Sequence, residues 1–483
     1  MSRKWITLMM TGSMLAGAGG TYAGIKWTET EATALNNAVV QSDKLPQSKQ
    51  TDTENLDKVT QAYELILSRY VEKVDREQLT EGAIQGMLAT LKDPYSVYMD
   101  KETANQFNQA LDSTFEGIGA EVGKVDGKIV IISPFKNSPA EKAGLKPNDE
   151  ILKVDGQSLD GLDLTQATLK IRGKKGTSVK LEIKRKSVTN PIGISVKRDE
   201  IPLETVHSKI KEVNGKKIGY IQITSFSENT SADFKKQLGK LEDEDIKGLV
   251  LDVRGNPGGL LSSVEEIMRE LVTDEKPMVQ IEKRNGQKDR YFTTLKKEKA
   301  YPVAVLVDQG SASASEILAG ALKEAEHYPL VGEKTFGKGT VQQAVPMGDG
   351  SNIKLTLFKW LTPDGNWIHK KGIEPTVKVQ QPKIFDTHPL EVDKKLEQDM
   401  NNEQVKNAQQ ILKGLGFAPG RTDGYFSVET EKAVKAFQQE NGLKPTGEIG
   451  PKTAIKLEDE VRAEMKKEKN DLQLKTALKL VSK

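Results

Sequence analysis

Attack of a hydroxyl on a carbonyl needs a nucleophile, a base to take its proton and donors to hold the oxyanion. Three stretches of this chain carry residue types that fit those roles. In residues 303–325, VAVLVDQGSASASEILAGALKEA, a β-branched run ends at Asp308, Gln309 and Gly310, and a helical pattern starts among Ser311, Ser313 and Ser315. A serine at such a turn lies beside helix N–H groups that lack an intrahelical partner; simple capping is the plain alternative. In residues 331–347, VGEKTFGKGTVQQAVPM, Lys334 and Lys338 sit in a glycine-bounded loop entering a strand, and Gln342 follows Lys338 by four. A lysine desolvated among apolar groups, here Phe336 and Val341, can lose its proton near neutral pH and act as a base. A solvated surface lysine is the ordinary alternative. In residues 248–263, GLVLDVRGNPGGLLSS, a buried strand runs into Asn256, Pro257, Gly258 and Gly259, a turn that presents backbone N–H groups at a helix start. An oxyanion hole, a phosphate site and a structural turn all fit it, but the spacing matches neither GxxxxGK[ST] nor GxGxxG.

Other chemistries have little to stand on. The chain has no cysteine, and His207, His327, His369 and His388 are scattered without a metal-ligand spacing, so no metal and no cofactor is expected.

Together the S-A-S-E run, the F-G-K-G-x-V-Q run and the strand-plus-NPGG turn resemble the carboxy-terminal processing proteases, the tail-specific S41 serine peptidases. The resemblance implies that Ser313, the middle of the three serines, is the nucleophile and that Lys338, 25 positions on as in the family, is the general base. It places Gln342 where the family has a glutamine hydrogen-bonded to the lysine amine; an amide cannot take a proton, so its role would be orientation. Backbone N–H groups of Ala314 and of Gly258 or Gly259 would be the oxyanion donors. Residues 65–99 look like the family's N-terminal helical region, and residues 360–375 like its late core signature, with Trp360, Asn366 and Thr376 replacing the usual Tyr, Arg and Asp.

These residues need a scaffold, and the pattern implies a multidomain α+β chain: a helical N-terminal region, a PDZ β-barrel-like domain, an α/β S41 protease core and a small three-helix C-terminal module. The expected boundaries are 1–27 for a signal peptide or membrane anchor, 28–54 for a flexible linker, 55–111 for the helical region and 112–199 for the PDZ domain. The protease core follows at 200–385, a linker at 386–402, a peptidoglycan-binding-like domain at 403–460 and a charged helical tail at 461–483. Gly117, Ile118, Gly119 and Ala120 stand where PDZ domains have a GLGF-type loop, whose free N–H groups cradle a C-terminal carboxylate. Arg172 is the candidate for a charged contact coupling that domain to the core. In the C-terminal module Ile411, Leu412, Leu415, Val434 and Phe437 would form the core.

The 483 residues carry 71 basic and 69 acidic side chains, a balance that argues against nucleic acid as a partner. Arg3 and Lys4 precede an uncharged stretch from Trp5 to Ile25, which reads as an export signal or a retained single anchor. The expected location is therefore extracytoplasmic, secreted or anchored to the outer face of the cell membrane. The expected partners are proteins or peptides with accessible C-termini, peptidoglycan, and further copies of the chain in a homo-oligomer. The functional expectation is an ATP-independent serine endopeptidase with a Ser–Lys dyad, processing tails and in some relatives a membrane-tethered signalling regulator. A non-catalytic PDZ and cell-wall-binding scaffold is the alternative.

Overall fold

The computed structural model describes residues 53–483, apart from 112–113, 126, 136, 163, 186–187, 189, 389, 391 and 393. The expected signal or anchor lies outside the described residues, among which no helix is long and apolar enough to cross a membrane. The chain opens with α1 (Thr53–Arg69) and α2 (Arg76–Ala89). Asp75 caps α2 by accepting from Glu77 N at 2.8 Å and Gln78 N at 3.1 Å. No residue of α2 is buried, and Leu56 (59 %), Leu65 (57 %) and Tyr70 (60 %) are largely exposed. A short strand, β1 (Val97–Met99), and α3 (Lys101–Leu111) then lead to the next domain.

That domain contains β2 (Thr114–Gly117), β3 (Ala120–Val125), β4 (Lys128–Pro134), α4 (Pro139–Lys142), β5 (Glu150–Val154), β6 (Gln157–Ser158), α5 (Leu164–Ile171), β7 (Ser178–Lys184), β8 (Ile192–Lys197) and β9 (Asp199–Pro202). Its sheet runs β3-β4-β5-β7-β8, with β6 on β5. Alternation along β7 sends Val179, Leu181 and Ile183 into its core. Strands β2 and β9 pair antiparallel as a two-stranded neck through which the chain enters and leaves.

The largest domain comprises β10 (Val206–Val213), β11 (Lys216–Ile223), α6 (Thr230–Asp243), β12 (Leu249–Asp252), α7 (Leu261–Arg269), β13 (Val279–Glu282), β14 (Lys288–Tyr291), β15 (Val303–Val307), α8 (Ala314–Glu324), β16 (Leu330–Gly332), β17 (Thr340–Pro346), β18 (Asn352–Leu361) and β19 (Val377–Lys378). Every residue of β12 and β15 is buried, as expected of strands covered on both faces. They lie at the centre of the sheet β10-β11-β12-β15-β16-β19, parallel from β11 onward. Phe234 of α6, Ile267 of α7 and Leu318 of α8 fill one face. A second, antiparallel sheet runs β1-β18-β13-β14, with β17 also on β18.

The chain ends in α9 (Glu403–Gly414), α10 (Val428–Glu440), α11 (Pro451–Met465) and α12 (Leu472–Val481). Ile411, Leu412, Val434 and Phe437 are buried in the module's core and Leu415 packs against it. The structure differs from the expected boundaries at two places. Leu390 and Leu396, read as linker, are buried in that same core. The stretch 461–483, expected as a charged helical tail, is helical but packed: α11 runs on to Met465, and α12 lays Leu474, Ala477, Leu478 and Val481 on the second face of the central sheet, against Ile218, Tyr220, Val250 and Leu306.

Candidate active site

Strand β15 ends in a turn in which each serine is placed differently. Ser311 Oγ donates to the Val253 carbonyl at 2.8 Å and Ser315 Oγ to the Asn256 carbonyl at 2.9 Å, and both side chains are buried. Ser313 is partly exposed, precedes α8 and lines a cavity of about 380 Å³. Its backbone, φ +56° and ψ −115°, is a conformation that favours glycine. Such strain persists only where the surroundings enforce it.

Much of that enforcement comes from Glu316, which is fully buried one turn into α8. One carboxylate oxygen accepts from Ser313 N at 2.9 Å and Lys338 N at 2.8 Å; the other accepts from Thr335 Oγ1 at 2.6 Å and Gly337 N at 2.7 Å. A single acid thus ties the serine turn to the lysine loop. Trp360 adds a further tie, its indole N–H donating to the Lys338 carbonyl at 2.8 Å. Neither tie follows from sequence spacing alone: Glu316 belongs to the S-A-S-E run but reads there as an ordinary helix-start acid.

The two lysines of the loop part company. Lys334 pairs with Glu374 at 3.1 Å on the surface. Lys338 lines the cavity, and its Nζ lies 5.0 Å from the centre of the Tyr95 ring, with no hydrogen bond or ion pair to a described residue. Burial pushes its ammonium below the usual lysine range, and nearby Lys354 pushes it further, while Asp93 and Glu316 oppose the shift. Of the expected apolar wall, Val341 lines the cavity but Phe336 is 56 % exposed. Tyr95 stands beside the amine instead, from a loop far away in sequence. That loop is fixed by Asp93, which accepts from Tyr95 N at 3.1 Å and Ser96 Oγ at 2.6 Å, while Thr356 N donates to Ser96 Oγ at 3.1 Å.

Gln342 lines the same cavity, but its amide nitrogen donates to Thr340 Oγ1 at 2.9 Å and Thr356 Oγ1 at 3.1 Å, and no hydrogen bond joins it to Lys338. The NPGG turn abuts the serine. Asn256 is buried, holds Ile223 O through Nδ2 at 2.9 Å, and accepts from Ala312 N at 3.0 Å through its carbonyl. Its Oδ1 also takes the N–H of Gly258 at 2.9 Å, so Gly258 has no N–H left for an oxyanion. The N–H groups of Gly259 and Ala314, which line the cavity, donate to no described acceptor. Both glycines are required: a Cβ on Gly258 would come within 2.8 Å of Ala312 O, and one on Gly259 within 2.0 Å of Phe226 O.

In the β2–β9 domain, the carbonyls of Ile118 and Gly119 accept from Ala140 N at 2.8 Å and Phe135 N at 2.9 Å, while their own N–H groups donate to no described residue. Gly117 and Ala120 bracket them at the ends of β2 and β3. Arg172 makes no ion pair with a described core residue; its guanidinium lies 4.9 Å from the centre of the Phe115 ring, on the neck strand β2. The contact is thus cation–π stacking on the neck, not a charge pair with the core.

Comparison with known proteins accords with this arrangement. Residues 217–379 match Peptidase family S41, residues 117–196 a PDZ domain, residues 401–457 a putative peptidoglycan binding domain and residues 14–103 the activating protease CtpB N-terminal domain. The chain belongs to peptidase family S41 and is a carboxy-terminal processing serine protease carrying a PDZ domain. It is 60 % identical over 482 residues, 99 % of each chain, to the carboxy-terminal processing protease CtpB of Bacillus subtilis (strain 168). It is 45 % identical to CtpA of the same organism, over 90 % of this chain and 92 % of the relative. Among solved structures, the photosystem II D1 C-terminal processing protease matches at 30 % identity and a TM-score of 0.42, over 68 % of this chain and 88 % of that one.

Proposed function

We propose that the protease works through a Ser313–Lys338 dyad. The observation that carries this reading is the pairing by Glu316 of the serine turn with the lysine loop around one cavity. Neutral Lys338 takes the proton of Ser313 as Oγ attacks the scissile carbonyl. The oxyanion is held by the N–H groups of Ala314 and Gly259. The tetrahedral intermediate collapses as the Lys338 ammonium protonates the leaving amine, and water then hydrolyses the acyl-enzyme with Lys338 again as base. Gln342 orients the lysine only once its carbonyl oxygen turns to the amine; in this structure its amide nitrogen is held by Thr340 and Thr356 and no hydrogen bond joins the two.

The loop 117–120 receives substrate C-termini by strand addition, and Arg172 senses occupancy through Phe115 and the neck. The enzyme acts outside the cytoplasm on protein tails, a membrane-tethered signalling regulator among them, with the C-terminal module contacting peptidoglycan. The exposure of Leu56, Leu65 and Met87 among the described residues supports a homo-oligomer, which light scattering of the purified protein checks.

The test of the dyad is cleavage of casein by the chain from about residue 45, beside Ser313→Ala and Lys338→Ala, with a fluorophosphonate probe read by mass spectrometry. Cleavage and labelling at Ser313 by the parent, and a loss on the order of 10⁵-fold in both variants, is expected. A variant that cleaves at a rate near the parent's excludes that residue from the dyad. For Arg172→Ala, stimulation by C-terminal peptides should fall without a change in melting temperature; unaltered stimulation removes the coupling role.

A further inference from the structure

The cavity that holds Ser313 and Lys338 contains a second lysine that the dyad does not use. Lys354 lies on β18, opposite Ala344 of β17 and Val97 of β1. It is two residues from Thr356, the partner of Gln342, so the two side chains share one face of the strand. Lys354 is half-buried, and its Nζ stands 4.8 Å from the centre of the Phe107 ring, with no hydrogen bond or ion pair to a described residue.

The described residues lining this cavity include two cations, Lys338 and Lys354, and no carboxylate. The acids nearby are committed elsewhere: Glu316 to four donors, Asp93 to Ser96 and the Tyr95 N–H. A partly desolvated ammonium without a counter-charge is unfavourable, and a cleft lined by one sign of charge concentrates the opposite ion. Leu260, Leu261, Ile317 and Val341 give the rest of the wall an apolar character that strengthens any charge pairing formed there.

Resting on the protease reading, we infer that Lys354 forms a carboxylate-binding subsite of the cleft and selects substrates with a carboxylate close to the scissile bond. Two groups supply that chemistry: an acidic side chain, or the terminal α-carboxylate when the cut falls within a few residues of the chain end.

Quenched fluorogenic peptides test this, carrying Glu, Gln or Lys at each position flanking the scissile bond and ending in a free acid or an amide. The full chain, Lys354→Met and Lys354→Glu are compared by the ratio of kcat/KM for acidic over basic peptides within each protein. A parent ratio of roughly tenfold or more at one position, near one in Lys354→Met and inverted in Lys354→Glu, is expected. If the ratio instead follows free acid over amide and vanishes in both variants, the terminal carboxylate is the ligand. A flat ratio in the parent, or one that survives Lys354→Glu, overturns the proposal. Fluorophosphonate labelling of Ser313 is read in parallel: a parent that neither labels nor cleaves counts against the dyad, whereas a labelled, cleaving parent with a flat ratio counts against the subsite alone.

Discussion

On the serine side of the cleft the supporting groups are buried and hydrogen-bonded within the core. Ser311 and Ser315 hold Val253 and Asn256, and Asn256 holds Ile223 and Gly258. On the lysine side the walls are half-exposed strands, β17 and β18, with Phe107 and Leu111 of α3, and Tyr95 of the N-terminal region stands beside the amine. Glu316 is a link that crosses toward it, and the Trp360 indole anchors the Lys338 carbonyl to β18 on that side. The serine turn is preassembled, whereas the solvation of Lys338, and with it its proton affinity, depends on segments outside the core. One of these, α3, leads in sequence directly to the neck of the PDZ domain. A movement there would change the proton affinity of Lys338 without touching the serine turn.

Two truncations would break this contrast most visibly. Ending the chain at Lys466 removes Leu474, Leu478 and Val481 from the sheet and Asp471 from Arg254, which it grips at 2.9 and 2.8 Å just before the NPGG turn. At about 1.5–3 kcal/mol for each large buried side chain the three together approach the stability of a whole domain, and Arg254, though still paired with Asp252, loses its second carboxylate. Calorimetry should show no cooperative core transition; melting within a few degrees of the parent would mean that α12 is dispensable. Among the described contacts with the core, removing residues 1–100 takes away Tyr95, the hydrogen bond from Thr356 N to Ser96 Oγ and the three-residue pairing of β1 on β18. The core should then melt near the parent temperature while activity at neutral pH falls by roughly tenfold or more, as a re-solvated Lys338 holds its proton.

Glu316→Gln tests the link itself. The carboxylate accepts from four donors, whereas an amide offers one oxygen and turns an NH₂ toward either the Ser313 and Lys338 N–H groups or the Thr335 hydroxyl and Gly337 N–H. A loss of about 2–4 kcal/mol in chemical unfolding is expected, with kcat down by about 10²-fold from misplacement of reacting groups. An unchanged kcat would show that the two sides are aligned without it.

What could be read from the sequence follows the same division. Ser313, Lys338 and the NPGG turn stand in short runs whose residue types state their chemistry, and all face one cavity. Which of three serines points into it depends on what each Oγ bonds, which spacing does not encode. Tyr95 lies far from the motifs and reaches Lys338 because β1 adds to β18, and Lys354 shares the cavity because β18 pairs with β17. Phe336 was the wrong wall because loop neighbours in sequence need not be neighbours in space. The last segment was legible as a charged helix but not as a packed one, because Lys475 and Lys479 interrupt the stripe of Leu474, Ala477, Leu478 and Val481 that the sheet covers.

The smallest effect sharpens the comparison furthest. Lys354 depresses the proton affinity of Lys338 by charge repulsion, second only to burial. In the proposed dyad the productive form of Lys338 is the neutral amine, so kcat/KM is expected to rise as pH climbs through the Lys338 pKa. Replacing Lys354 by methionine keeps the apolar stem but removes the charge, so Lys338 binds its proton more tightly. The acidic limb of the profile, measured on an uncharged peptide, should therefore move to higher pH, and further in Lys354→Glu. Both variants leave the turn around Ser313 untouched, so the fully deprotonated enzyme at high pH should label with fluorophosphonate at the parent's rate. A limb that stays in place would mean that burial alone sets the base; a limb that moves together with slower high-pH labelling would mean that the two sides of the cleft are not independent.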